Sequence, residues 1–225
     1  MGKWLVKDIK FIFESLLDII YGRSENCIIC GSTAQKDSLL CHSCMKKINA
    51  CDSRYSVEGK NRRFDVISGA YYTDIVMELV LRLKYKRDFD CGQVLAYFME
   101  LSLKKLKLEF DLITFVPLSH ASLRKRGYNQ AEYLADIIGK YEHKKVISCL
   151  KKRNVKDQIG LNYQRRWENL KKSFYVYDSN VIKDKKILLI DDVFTTGATS
   201  FYCCEEILKC GAKSASILTA AKSKV

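Results

Sequence analysis

Four consecutive apolar residues, Ile187, Leu188, Leu189 and Ile190, are the sharpest hydrophobic feature of the chain. A short run of this kind reads as a strand buried on both faces of a parallel sheet. Residues 68–72, 111–116, 145–150, 173–177 and 214–221 carry similar strand-like patterns. Between them the apolar positions fall at helical spacing over 74–84, where Ile75, Leu79 and Leu83 share a face, and over 94–107, 121–141 and 201–209, the last closed by Gly211. Pro117, the only proline of the chain, restricts Val116 to extended geometry and stops the strand that precedes it. Strands alternating with helices predict an α/β fold, a mostly parallel sheet flanked by helices. Near the start, Trp4, Leu5, Ile9, Ile12, Phe13, Leu16, Leu17 and Ile20 recur at helical spacing, while Lys7, Asp8, Lys10, Glu14 and Asp18 interrupt any long apolar run. This predicts an amphipathic helix rather than a membrane span. Residues 151–172 combine dense charge with little periodicity, the pattern of a long functional loop.

In a parallel sheet a ligand site is expected beyond the C-terminal end of a buried strand. After Ile190 come Asp191, Asp192, Val193 and Phe194, then Thr195, Thr196, Gly197, Ala198, Thr199 and Ser200. The small and hydroxylated residues 195–199 can close backbone N–H groups and hydroxyls around a phosphate at a helix N-terminus, and Gly197 permits the tight path this requires. Asp191 and Asp192 would repel a phosphate, so ribose hydroxyls are their natural targets, with a divalent cation offsetting their charge. The segment lacks both the Gly-x-x-x-x-Gly-Lys-Ser/Thr loop of NTPases and the Gly-x-Gly-x-x-Gly of dinucleotide folds. It resembles the phosphoribosyl diphosphate (PRPP) loop of type I phosphoribosyltransferases.

An independent feature lies upstream. Cys27 and Cys30, then Cys41 and Cys44, form two CxxC knuckles, a spacing suited to a tetrahedral structural Zn2+ with no open coordination position. His42 and Cys51 are the alternative ligands. Cys91, Cys149, Cys203, Cys204 and Cys210 lie scattered among apolar stretches as reduced core thiols. With no secretory signal in the sequence, this cysteine usage predicts a cytoplasmic protein.

Charge adds a further element. The chain carries +13, of which the segment 124–172 holds +9, fourteen Lys and Arg against five Asp and Glu. Such a concentration points to a polyanionic partner, and an ordinary solvated lysine surface accounts for it equally well.

Taken in order, these motifs resemble the ComF family of competence proteins, GntX-like members included. The resemblance runs through the two knuckles, Leu83-Lys84-Tyr85-Lys86, Val116-Pro117-Leu118, the run Arg124-Lys125-Arg126-Gly127-Tyr128-Asn129-Gln130-Ala131-Glu132, Gln158 to Leu161 with Arg165 and Asn169, and the loop Asp191 to Thr199. The chain departs from the family pattern at Val155 and Asp157, where Thr and Pro are common, and at Ser119, His120 and Ala121, where another Pro is usual. The resemblance implies a type I phosphoribosyltransferase-like domain over 61–225, preceded over 1–60 by an N-terminal helix and a four-cysteine zinc module. It implies PRPP as ligand, held at the 5′-phosphate by Thr195, Thr196, Gly197, Ala198 and Thr199 and at the ribose by Asp191 and Asp192, with Mg2+ bridging ribose and diphosphate. Arg124, Arg126, Asn129, Gln130, Lys152, Arg153 and Arg165 are the candidates for diphosphate or a nucleic-acid backbone, and Lys84 for a phosphate. For Asn129 and Gln130, orienting the Arg-rich loop is an equal alternative. Two functions are implied: binding of single-stranded DNA during uptake, alongside a helicase-like partner and with Tyr128, Tyr163 and Trp167 available for stacking, or transfer of phosphoribose from PRPP to an acceptor.

Overall fold

The computed structural model describes residues 25–59, 62–153, 167 and 170–223. The amphipathic helix expected over 4–20 and most of the polar stretch 151–172, Arg165 and Tyr163 included, lie outside the described residues. The chain divides into two compact units, Met1–Lys46 and Lys47–Val225. The first contains one short helix among its described residues, α1 (His42–Lys46).

The larger unit is built on a six-stranded sheet. Its strands are β1 (Tyr55–Gly59), β2 (Arg62–Tyr71), β3 (Leu112–Phe115), β4 (Lys145–Val146), β7 (Lys186–Phe194) and β8 (Ser214–Lys222), in the order β1-β2-β8-β7-β3-β4. The β1–β2 pair is antiparallel and all other neighbours are parallel. The mostly parallel α/β fold is the one expected. The apolar run Ile187 to Ile190 is fully buried at the centre of this sheet, as both its faces are covered.

Helices cover the sheet as follows. α2 (Asp74–Lys86) buries Val76, Leu79, Val80 and Leu83 and packs on α3 (Phe89–Leu106), which in turn lies against β2 and β8. α5 (Gln130–Tyr141) covers β3, β4 and β7 beside α3. On the other face, α6 (Ala198–Lys209) places Phe201, Cys203, Cys204 and Ile207 in one core with Ile187 and Leu189 of β7 and Ala215 and Ile217 of β8.

Two expectations are corrected, and one strand pair is added. The single helix expected over 121–141 is two, α4 (His120–Arg126) and α5, because Gly127 takes a left-handed conformation (φ 78°) and caps α4. Asn129 then starts α5 afresh by accepting a hydrogen bond from the Ala131 N–H at 3.0 Å. The strand expected over 145–150 splits: β4 joins the main sheet, while β5 (Leu150–Lys152) leaves it to pair antiparallel with β6 (Phe174–Val176). The polar stretch therefore begins in a strand. Finally, β1 and the first half of β2 carry no contiguous apolar run. They alternate inward Val57, Phe64 and Val66 with outward Glu58 and Arg63.

Candidate functional site

Buried Ile190 hands the chain to Asp191 and Asp192 at the C-terminal end of β7. Strand alternation sends the two carboxylates to opposite faces. Asp191, on the α6 side, accepts a hydrogen bond from the Ser200 hydroxyl at 3.0 Å and from the Asp192 N–H at 2.9 Å. Asp192, on the α2 side, pairs with Lys84 Nζ at 3.1 Å. Burial first, then the neighbouring Asp192 charge, pushes the Asp191 carboxyl up to about 7 against the pull of its hydrogen bonds and Lys84. An acid raised above its ordinary 3.8 ionises more readily in the unfolded chain. The ligand-free fold therefore loses stability as pH rises from about 4 to about 7. Asp191→Asn is expected to abolish that loss, and denaturation midpoints measured across the window check it; an unchanged slope in the variant would assign the loss elsewhere.

Beyond the carboxylates the chain turns at Gly197, which has φ 74° and N-caps α6. A Cβ there would lie 2.5 Å from the Phe194 ring and 2.7 Å from Val57. Gly197→Ala is expected to cost about 1–2 kcal/mol from the backbone alone, with the clash in addition. Urea denaturation reads this directly, and an unshifted midpoint would mean that the loop relaxes freely. Thr195 is exposed, Thr196 accepts from the Ala198 N–H at 3.3 Å through its hydroxyl, and Thr199 faces a cavity of about 230 Å³.

That cavity gathers Asp191, Asp192, Thr199, Lys84, Arg126, Asn129, Gln130 and Lys152 with residues 116–119 from the end of β3. Carboxylates, cations, amides and the start of α6 thus meet although the chain separates them by up to 115 residues, from Lys84 to Thr199. Asn129 spends both ends of its amide on the fold, donating to the Val116 carbonyl at 3.0 Å and accepting from Ala131. Gln130 is different. It is 1% exposed and its Oε1 accepts from Arg126 at 2.9 Å. Its buried Nε2 lies beside the Tyr128 hydroxyl, whose oxygen can accept from it while the O–H donates to the Leu83 carbonyl.

Of the other candidate cations, Arg124 is exposed and Arg153 lies over the Tyr175 ring at 5.2 Å; neither lines the cavity. Of the aromatics put forward for stacking, the two described are engaged internally: Tyr128 packs edge-on against Phe89 at 5.4 Å, and Trp167 against Phe201 at 5.1 Å. Lys84, the candidate for a phosphate, pairs instead with a carboxylate of the site. Its place in the last turn of α2 was legible, but its pairing with Asp192 depends on tertiary packing.

In the first unit, the sulfurs of Cys27, Cys30, Cys41 and Cys44 lie within 4.8 Å of one another, and this cluster could hold a metal ion such as zinc. His42 is exposed, and Cys51 is buried in the other unit with its N–H bonded to the Gly69 carbonyl. The Ser32 hydroxyl and N–H lower the Cys30 thiol to about 6, whereas burial and the other cysteines push Cys44 up to about 12. Four clustered sulfurs cannot all ionise without a cation among them, and a dication supplies that charge. No helix of the described residues is long and apolar enough to cross a membrane.

No family model matches the chain. It is 33% identical to competence protein ComFC of Streptococcus pneumoniae over 193 residues, which cover 83% of each chain. It is 30% identical to competence protein F of Haemophilus influenzae over 181 residues, covering 77% of this chain and 74% of that one. Among solved structures, adenine phosphoribosyltransferase from Thermoanaerobacter pseudethanolicus aligns over 75% of this chain and 95% of its own, with a TM-score of 0.41 and 12% identity. On its likeness to ComFC and competence protein F over most of their lengths, the chain belongs to the ComF family of competence proteins, with a mostly parallel α/β domain and a four-cysteine cluster before it.

Proposed function

We propose that this chain binds PRPP, or a related phosphoribosyl ligand, at the junction of β7 and α6, and that it handles single-stranded DNA in the cytoplasm during natural transformation. One observation carries the ligand: Asp191, Asp192, the start of α6, Lys84, Arg126 and Gln130 line a single cavity. The loop N–H groups and Thr hydroxyls suit the 5′-phosphate. The carboxylates suit the ribose hydroxyls, and Lys84, Arg126 and Lys152 the diphosphate. Mg2+, when bound with the ligand, would offset the charge between carboxylates and diphosphate. The role in DNA uptake rests on family membership and on the basic segment from Arg124.

The same groups suit transfer of phosphoribose, because departure of diphosphate needs positioning and charge stabilisation rather than a covalent nucleophile. Calorimetric titration of PRPP with Mg2+, with and without single-stranded DNA, tests the proposal. Saturable binding is expected, and a shift in affinity caused by DNA would mean that the two ligands are coupled. Absence of PRPP binding would overturn the ligand. Diphosphate release on adding a strand would favour transfer over binding alone.

A further inference from the structure

Tyr85 is 61% exposed, more than any other large apolar side chain among the described residues. It follows Lys84, whose amine lies on Asp192 in the cavity, and its ring carries the Arg126 guanidinium at 5.5 Å from the centroid. Arg126 also lines the cavity and donates to Gln130. Tyr85 therefore stands beside the cavity with a face open to solvent. Lys86, Arg87, Arg124 and Lys125 are exposed around it at the C-terminal ends of α2 and α4, which the Arg87 side chain joins by donating to the Arg126 carbonyl at 3.0 Å. Lys86, Arg124 and Lys125 form no ion pair with another described residue, and Asp88, the carboxylate nearest Lys86 in sequence, is taken by Arg82 at 2.6 Å. One and two turns back on the same side of α2, Leu81 and Met77 are each 41% exposed.

Cations at helix C-termini are ordinarily explained by the helix dipole. The dipole accounts for each cluster separately, but not for the exposed ring between them. We propose that Tyr85 is a base-stacking platform, and that this corner of α2 and α4 is a docking surface for single-stranded DNA, running up to the phosphoribosyl cavity. A strand offers what the surface lacks: phosphates for Lys86, Arg124 and Lys125, and an unpaired base for the open face of Tyr85. A duplex hides its base faces and leaves the ring unused. The proposal deepens the DNA half of the function proposed above and rests on it.

The test compares a thymidine homopolymer with an abasic strand of equal length, by fluorescence anisotropy over a series of salt concentrations. The wild type is expected to prefer the strand with bases by roughly tenfold, near the low end of what a base–aromatic stack contributes. Tyr85→Ala should lose that preference while keeping the salt slope, since no charge is removed, and Tyr85→Trp should retain it. Lys86→Ala and Lys125→Ala should each flatten the slope by roughly 0.7 and affect both strands alike. Undiminished base preference in Tyr85→Ala overturns the platform and leaves the proposed function standing. Failure of the wild type to bind either strand overturns the DNA half of that function itself. A uridine homopolymer run in parallel separates the two kinds of strand, and tighter binding of the ribo-strand overturns DNA as the occupant.

Discussion

Replacing Asp191 and Asp192 together by alanine is expected to weaken PRPP binding by roughly a hundredfold or more, while the metal content of the cysteine cluster stays unchanged. Hydrogen bonds to ionised groups contribute about 1.5–3 kcal/mol each, and about 1.4 kcal/mol is tenfold in affinity. The carboxylates reach the cavity from the two sides of β7, so neither can take over the contacts of the other. The double variant also leaves Lys84 without its carboxylate, so Asp191→Asn with Asp192→Asn serves as the near-isosteric check. Calorimetry on both variants reads the loss, and a colorimetric zinc assay reads the metal. Undiminished PRPP affinity would sink the assignment of these carboxylates, and loss of metal would mean that the substitutions had disturbed the fold as a whole.

The features legible in the sequence are those written in contiguous residues. β7 is buried on both faces, so Ile187 to Ile190 form an unbroken apolar run, and the loop after it is recognisable from its small and hydroxylated side chains. The break between α4 and α5 was hidden because one glycine in a helical pattern is weak punctuation. It is decided by the left-handed turn at Gly127 and by the bonds of Asn129 to Ala131 and to the distant Val116. The departure of β5 from the main sheet was hidden for a related reason. Phe174 and Val176, which it pairs with, lie more than twenty residues on, and no local pattern declares that partnership. Within the site, residue types could be read but side-chain commitments could not. Asn129 and Gln130 looked alike as candidates, yet the first is committed to the Val116 and Ala131 backbone and the second to the side chain of Arg126.

Removing the metal from the cysteine cluster is expected to unfold the surrounding residues. Among the described residues up to Lys46, the buried apolar side chains are Cys27, Leu40, Cys41 and Cys44, and three of these are the sulfurs' own residues. With so few buried apolar side chains among the described residues, a bound ion would supply much of their stability, structural zinc in such modules being worth an apparent ~10–16 kcal/mol near neutral pH. One zinc per chain is expected. Chelation, or Cys44→Ser, should open residues 25–46 to limited proteolysis. Continued protection after complete removal of the metal would contradict this.

Asp191 and Asp192 are neighbours in the chain but belong to different layers of the domain. The first is bonded to Ser200 at the start of α6, the second to Lys84 at the end of α2, with the sheet between them. A sugar held by both carboxylates would act as a rivet through the sheet, transmitting restraint to two helices on opposite sides of it. Occupancy of one small cavity should therefore appear as slowed amide exchange in two remote stretches at once, the last turn of α2 and the first turn of α6.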